Sequence, residues 1–138
     1  MSISTTAQGR EIEKQDTRSK ILRAIDRSEY RSLFMECCCS LYALVLHETL
    51  GLPLCYASTG DDLSHVFVVR DNLCLDYDGT RKLSDVMKQY SWKDSQPRRV
   101  SPKIIRAAME KRGVDCELQT KVIGIARSEF EGRRKLYD

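Results

Sequence analysis

The sequence predicts an α+β fold, in which a small antiparallel sheet packs on a central helix near the N-terminus and further helices follow the sheet. Apolar residues recur at helical spacing on both sides of residues 54–77, whereas that stretch is rich in β-branched and aromatic residues and in turn signals. Strands that follow one another in one block, instead of alternating with helices, are typical of an antiparallel sheet. The 138 residues fit one domain.

The N-terminal part predicts a polar arm and two helices. Residues 1–16 are polar, and we expect them to form an arm that precedes a single domain of residues 17–138. From Thr17 to Phe34, apolar residues recur at helical spacing and predict the first helix. A second helix, from near Cys39 to Leu50, is apolar on most sides and is followed by Gly51, so we expect it to be the buried central helix.

The middle of the chain predicts a short strand followed by a hairpin. Leu54–Ala57 is the first strand, and residues 58–62 are a polar loop. His65–Val69 is a strand by its β-branched and aromatic content, and Leu73–Tyr77 is the return strand. Residues 71–72, an Asp-Asn pair, supply the turn between these two strands.

The C-terminal part predicts three helices. Ser84 is expected to cap a helix of Asp85–Tyr90. After a break at residues 97–102, the Ser101-Pro102 pair opens a helix that closes at Gly113. The segment Thr120–Tyr137 has the apolar spacing of an amphipathic helix.

Composition and charge exclude several classes of protein. The longest apolar run is interrupted by His47 and Glu48, so we expect no segment to span a bilayer and no membrane partner. Residues 1–8 lack a secretory pattern, so we expect a cytoplasmic protein or one delivered by a route other than Sec. A net charge of +3 does not by itself predict nucleic acid as a partner, although residues 97–138 carry 11 basic and 6 acidic side chains.

The six cysteines do not have the spacing of a metal site. The sequence contains no CxxC pair, and only His47 and His65 could complete a zinc site, so we expect no metal and no cofactor. Without an export signal, we expect the thiols to be reduced. The cysteines are therefore either packing residues or reactive ones.

Cys39 is the candidate nucleophile because it is expected at the start of the central helix. The positive end of the helix dipole favours a thiolate there, and the first backbone N–H groups can stabilise an oxyanion. Cys37 and Cys38 precede it immediately and compete for the same role.

His65 is the candidate base, and a carboxylate on the return strand is expected to orient it. If residues 71–72 form the turn, Phe67 lies opposite Asp76 and His65 lies opposite Asp78, with all four side chains on one face of the hairpin. We assign the orienting role to Asp76 and keep Asp78 as its rival. His47 follows Cys39 by eight residues in the same helix, about 12 Å along its axis, which is too far for a hydrogen bond.

These residues resemble the papain-like cysteine hydrolase superfamily. Residues 39–46 followed by the Gly51-Leu52-Pro53 segment look like its nucleophile helix, and residues 65–68 and 75–79 look like its histidine and aspartate strands. The resemblance covers about residues 37–79 and implies a papain-like α+β domain with a Cys39–His65–Asp76 triad. Peptidases of this superfamily place a glutamine shortly before the cysteine, but the nearest upstream glutamine here is Gln15. The second oxyanion donor therefore stays open, with Ser32 and Ser40 as candidates.

Two functions follow as hypotheses, and a third ranks last. The first is a cysteine-dependent hydrolase or acyltransferase that acts on an amide of a protein or peptide, as a peptidase, an amidase, a glutamine deamidase or a transamidase. The alternative is a catalytically inactive module of the same fold that docks an acidic protein or nucleic acid through its basic C-terminal residues. Those residues include Arg98, Arg99, Arg106, Lys111, Arg133, Arg134 and Lys135. The third is a redox sensor, which is disfavoured because adjacent cysteines bridge only with strain.

Overall fold

The computed structural model describes residues 7–58, 63–90 and 96–138. Within them the chain forms six helices and one five-stranded antiparallel sheet. The α+β prediction is confirmed, since the strands form one block between helical segments. The central predicted helix packs on this sheet and supplies the middle of the main hydrophobic core.

Helix α1 spans Ala7–Asp26 and begins earlier than the sequence predicts. The predicted polar arm is wrong over residues 7–16, which are helical, whereas residues 1–6 lie outside the described residues. Alanine, glutamine, glutamate, lysine and arginine in this stretch favour a helix even where no apolar stripe is present. The helix also rests against Gly113 (φ +94°), where a Cβ would come within 2.6 Å of the Lys14 Cβ.

The first helix does not continue to Phe34 as predicted. It ends at Asp26, and the chain reverses through Ser28, which has a positive φ of 53°. A short helix, α2 (Tyr30–Ser32), then leads into a π-helical turn, Leu33–Cys37. The apolar spacing at Leu33 and Phe34 therefore belongs to a separate element that packs into the same core.

Helix α3 spans Cys39–Leu50, as predicted, and is the buried central helix. Gly51 ends it in the left-handed conformation (φ 69°), and its N–H donates to the His47 carbonyl. No single helix among the described residues is long and apolar enough to cross a membrane. The pair Tyr30–Cys37 and Cys39–Leu50 meets that criterion only jointly, and the two halves are bent by 95°.

The sheet contains the three predicted strands and two more. Its strands are β1 (Leu54–Ala57), β2 (His65–Arg70), β3 (Leu73–Asp76), β4 (Gly79–Lys82) and β5 (Arg98–Arg99), in the spatial order β4-β3-β2-β1-β5. The β2–β3 register pairs Val68 with Leu75 and Val69 with Cys74, which is the register that a turn at residues 71–72 predicts. The predicted loop of residues 58–62 falls mostly outside the described residues.

Strands β4 and β5 lie at the two edges of the sheet and were not predicted. Their sequences are polar and partly exposed, so they carry no alternating apolar pattern that would indicate a strand. Pairing with a buried neighbour, Leu75 with Thr80 and Cys55 with Arg99, places them in the sheet. The return strand, which was expected to reach Tyr77, ends at Asp76; the chain turns at residues 77–78, and β4 begins at Gly79.

The two faces of the sheet pack against different helices. Val66, Val68 and Leu75 join the core around α3, whereas Phe67 and Cys74 contact a smaller cluster that includes the next helix, α4 (Leu83–Tyr90). Helix α4 begins before Ser84, so the prediction that Ser84 caps it is wrong. The face of the hairpin that α4 covers also carries the polar residues His65 and Asp76. The sheet thus separates the main core on one face from the polar side chains of the hairpin on the other.

The C-terminal helices cover the main core. Helix α5 (Pro102–Lys111) is capped by Ser101, as predicted, and helix α6 (Cys116–Gly132) is capped by Asp115. The last predicted helix therefore begins four residues earlier than expected, because the Asp115 carboxylate accepts the Leu118 N–H. A 3₁₀ turn, Arg134–Tyr137, follows α6 and contacts β4.

Candidate active site

The start of α3 separates the three consecutive cysteines. Cys37 is the last residue of the π-helical turn, Cys38 is the N-cap of α3 (φ −130°), and Cys39 is the first helical residue. Cys38 is fully buried, whereas Cys37 and Cys39 are partly exposed. Of these two cysteines, Cys39 is the one whose thiol contacts the hairpin, because it interacts with His65 and with the backbone N–H of Val66.

His65 is the first residue of β2 and is fully buried. Its Nε2 lies 2.8 Å from Asp76 Oδ2. Its buried Nδ1 has no hydrogen-bond partner at ordinary distance among the described residues, and the Cys39 thiol interacts with the same ring. The imidazole therefore stands between the thiol and a carboxylate.

Asp76 ends β3 with its side chain almost fully buried. Oδ2 accepts from His65 and, at 2.5 Å, from Nη2 of Arg81, whereas Oδ1 accepts the backbone N–H of Asp78 at 3.0 Å. The hydroxyl of Tyr137 donates to the Asp76 carbonyl oxygen at 2.7 Å. A carboxylate with three donors is held in one orientation and stays ionised in spite of its burial.

The electrostatics of the three groups favour a thiolate beside an imidazolium. Burial opposes ionisation of the Cys39 thiol, but the hydrogen bond and charge of His65 outweigh it, and the pKa of Cys39 is lowered. Burial likewise disfavours the imidazolium, yet the hydrogen bonds to Asp76 and Cys39 raise the pKa of His65 to about 9. Burial also works against the Asp76 carboxylate, and His65 and Arg81 nevertheless lower its pKa.

The surroundings of Cys37 and Cys38 disfavour a thiolate. Burial raises the pKa of Cys38, and the nearby Cys37 adds to the effect. Burial also raises the pKa of Cys37, although the charge of Arg112 acts against it. Of the three consecutive thiols, Cys39 alone is favoured as a thiolate, because it alone has an imidazole partner.

Arg81 and Tyr90 belong to the site but were not predicted. Arg81 lies in β4 opposite Cys74 and reaches Asp76, and Tyr90 at the end of α4 stacks on the His65 ring with centroids 4.3 Å apart. A signal for Arg81 was present, since the Asp-Gly pair at residues 78–79 is typical of a hairpin turn. No local pattern points to Tyr90, because only the packing of α4 on the sheet brings it to His65.

Asp78 does not take the orienting role for which it was kept as a rival. Its carboxylate accepts two hydrogen bonds from Arg31, each 2.9 Å long, near the protein surface. Among the described residues, Asp76 is the carboxylate that contacts His65. His47 also stays apart from the site, because its Nδ1 lies 2.6 Å from the Leu52 carbonyl oxygen at the other end of α3.

Helix α3 offers backbone donors beside the sulfur. The first N–H groups of a helix have no acceptor within the helix, and in α3 these belong to Cys39 and Ser40. In the described part of the chain no backbone carbonyl accepts from either group. Two N–H groups at the positive end of the helix dipole can stabilise an oxyanion that forms on a carbonyl attacked by Cys39. Ser32 lies in α2 and the Ser40 side chain is buried, so the backbone is the better source of donors.

Some of the basic C-terminal residues form contacts within the protein. Arg133 donates to the Tyr77 carbonyl oxygen at 2.6 Å and lies 4.0 Å from the centre of the Tyr77 ring. Arg134 pairs with Glu131 at 3.1 Å. Fewer C-terminal cations are therefore available for docking a partner than the sequence indicates.

No group of three or more histidine, cysteine or acidic side chains with the geometry of a metal site occurs in the described ranges.

No family model, no curated protein and no solved structure matches this chain.

Proposed function

We propose that the protein is a cysteine-dependent hydrolase or acyltransferase that acts on an amide bond. The observation that carries this proposal is the contact chain Cys39–His65–Asp76, in which the partly exposed residue Cys39 lies at the N-terminus of a buried helix. Nucleophile, base and orienting carboxylate in this order, next to the first backbone N–H groups of a helix, support thiol acyl transfer. The resemblance of residues 37–79 to papain-like hydrolases supports the same chemistry.

In the acylation step, the Cys39 thiolate attacks the amide carbonyl carbon and forms a C–S bond. The carbonyl oxygen becomes an oxyanion, which the N–H groups at the start of α3 stabilise. The His65 imidazolium then gives its proton to the amide nitrogen, the C–N bond breaks, and the amine leaves a thioester on Cys39. Asp76 holds the imidazole in position throughout and stabilises its charged form.

In the deacylation step, a second nucleophile cleaves the thioester. His65, now neutral, removes a proton from water or from an amine, which attacks the carbonyl carbon. Loss of the thiolate yields a carboxylic acid or a new amide and restores the starting ion pair. Peptide hydrolysis, glutamine deamidation and transamidation share this thioester and differ only in the amide attacked and in the acceptor.

Alkylation with iodoacetamide at pH 6 tests the activated thiol. An ordinary thiol with a pKa of about 8.5 is only about 0.3% thiolate at pH 6. We expect Cys39 to be alkylated at least about tenfold faster than the exposed Cys116, as peptide mass spectrometry would show. Cys37→Ala and Cys38→Ala should keep the fast reaction, and His65→Ala should abolish it. Equal rates for Cys39 and Cys116 would contradict the proposal.

The reaction itself is tested with glutamine-containing peptides, with and without an added primary amine. Release of ammonia indicates deamidation, incorporation of the amine indicates transamidation, and a new N-terminus indicates proteolysis. The rate should rise with ionisation of Cys39 and fall near pH 9, where His65 loses the proton that the leaving amine needs. A rate that survives in Cys39→Ala would exclude the thioester route.

A further inference from the structure

A groove of about 610 Å³ lies between α1 and the end of α5. Its volume is within the range of sites that hold small molecules or a few residues of a peptide. The walls are fixed against each other at the close approach of Gly113 to Lys14, and an ion pair of 3.3 Å between Arg18 and Asp115 adds a second link. The groove is therefore a formed feature of the fold.

The lining of the groove is mixed in charge but mainly basic. Four cations face it, namely Lys14, Lys20, Lys111 and Arg112, against two carboxylates, Glu13 and Asp16. Among the described residues, Lys20 and Lys111 form no ion pair, whereas Lys14 pairs loosely with Glu11 at 3.7 Å. Two carboxylates in the lining disfavour a dense polyanion such as a polyphosphate, and they suit a peptide with spaced acidic side chains.

Arg112 joins the groove to the candidate nucleophile. Its Nη1 donates to the Cys37 carbonyl oxygen at 3.3 Å, and Cys39 follows Cys37 by two residues, so their α-carbons are at most about 7 Å apart. Lys20 is also near this end, because its charge acts on the Cys37 thiol. The charge of Arg112 also acts on the Cys39 thiol, so the Arg112 end of the groove lies near the candidate nucleophile.

We propose that this groove holds an acidic segment of a peptide substrate and places the neighbouring amide at Cys39. The inference rests on the proposed function and adds the substrate class to it. Lys20 and Lys111 are the recognition residues, since their ammonium groups have no partner within the described chain. Arg112 lies at the inner end, nearest the reacting thiol.

Binding is measured with the full chain carrying Cys39→Ala, so that no substrate is consumed. The probes are a short fluorescein-labelled peptide of glycine, serine and glutamate, and a matched peptide with lysine in place of glutamate. Fluorescence anisotropy should show tighter binding of the glutamate peptide, and its affinity should fall with added salt. Lys20→Glu with Lys111→Glu should weaken it about tenfold, since two attractive surface contacts become repulsive.

A matched control changes the net charge by the same amount elsewhere. Lys103→Glu with Lys135→Glu alters two exposed lysines outside the groove. This control pair should reduce the affinity by less than about twofold, because its charges lie outside the contact and are largely screened. An equal loss in both double variants, or no preference for the glutamate peptide, would overturn the groove assignment.

Protection of the wild-type thiol separates this proposal from the proposed function. A saturating glutamate peptide should slow iodoacetamide alkylation of Cys39, and the lysine peptide should not. Fast alkylation that the glutamate peptide leaves unchanged removes the groove proposal and keeps the thiol enzyme. Slow alkylation without any peptide removes the proposed function, and the substrate role of the groove is lost with it.

Discussion

Replacing Arg81 tests whether the buried carboxylate is held mainly by charge. In Arg81→Met the side chain keeps much of its volume but loses the guanidinium that donates to Asp76 Oδ2. The Asp76 carboxylate then keeps His65 and one backbone N–H as its partners, while its side chain stays almost fully buried. The variant should fold, but with a lower free energy of unfolding.

The size of the loss follows from the burial of the pair. Removing one partner of a fully buried ion pair costs about 3–5 kcal/mol, and a hydrogen bond to a charged group contributes about 1.5–3 kcal/mol. Because Arg81 is 30% exposed, water screens part of the interaction, and the lower range applies. We therefore expect a loss of about 1.5–3 kcal/mol at pH 7.

The pH dependence of this loss separates charge from packing. Interaction with His65 and Arg81 lowers the pKa of Asp76 from 3.8, so the stability that the carboxylate contributes is present above that value and is lost as the pH falls through the folded pKa. The difference in free energy of unfolding between wild type and Arg81→Met, measured by urea unfolding, should thus be largest at pH 7 and decrease below about pH 4. Arg81→Lys, which keeps the charge, should recover part of the free energy of unfolding that Arg81→Met loses.

A matched control and a refuting result complete this test. Arg127→Met removes an arginine whose 3.3 Å ion pair with Glu48 lies at the surface, and it should cost about 0.5 kcal/mol or less. The charge argument for Arg81 is refuted if Arg81→Met loses no more stability than this control. It is also refuted if the loss of stability is the same at pH 7 and at low pH.

Three further outcomes are expected. Asp76→Asn should slow alkylation of Cys39 at pH 6 by up to about tenfold, because a rise of one unit in the thiol pKa lowers the thiolate fraction by at most tenfold, whereas Asp78→Asn should leave the rate unchanged. Tyr137→Phe should lower the free energy of unfolding by about 1–2 kcal/mol in urea titrations, since its buried hydroxyl donates to the Asp76 carbonyl. The Cys39–His65 pair should leave wild-type stability flat between about pH 6.5 and 9, because thiolate with imidazolium and thiol with imidazole hold the same number of protons, as urea titrations at several pH values would show.

The hairpin and the central helix could be predicted because their signals are local. Residues 65–69 and 73–77 are typical strands, and the polar pair between them sets the register, so the shared face of His65 and Asp76 follows from period-two geometry alone. The end of α3 at Gly51 is equally local, since glycine adopts a positive φ without strain. These are the elements that carry the candidate triad.

The elements that could not be predicted depend on contacts distant in sequence. The first turns of α1 are polar, and contact with Gly113, about a hundred residues later, places this helix on the domain. Tyr90 meets His65 only because α4 folds back over the hairpin. A sequence pattern contains the period of each element but not the packing angle between elements, and that angle decides these contacts.

The resemblance to papain-like hydrolases that we propose from the sequence is limited to residues 37–79, yet the site in this fold is also held by residues outside that range. Tyr137 in the last turn of the chain donates to the Asp76 carbonyl and contacts the Tyr42 hydroxyl at 2.8 Å, so one residue links β3 to α3. Arg133 adds a hydrogen bond of 2.6 Å to the carbonyl of Tyr77, the next residue after Asp76. The distance between the nucleophile helix and the carboxylate strand therefore depends on the C-terminal segment as well as on the hairpin, and loss of that segment should disturb the candidate site.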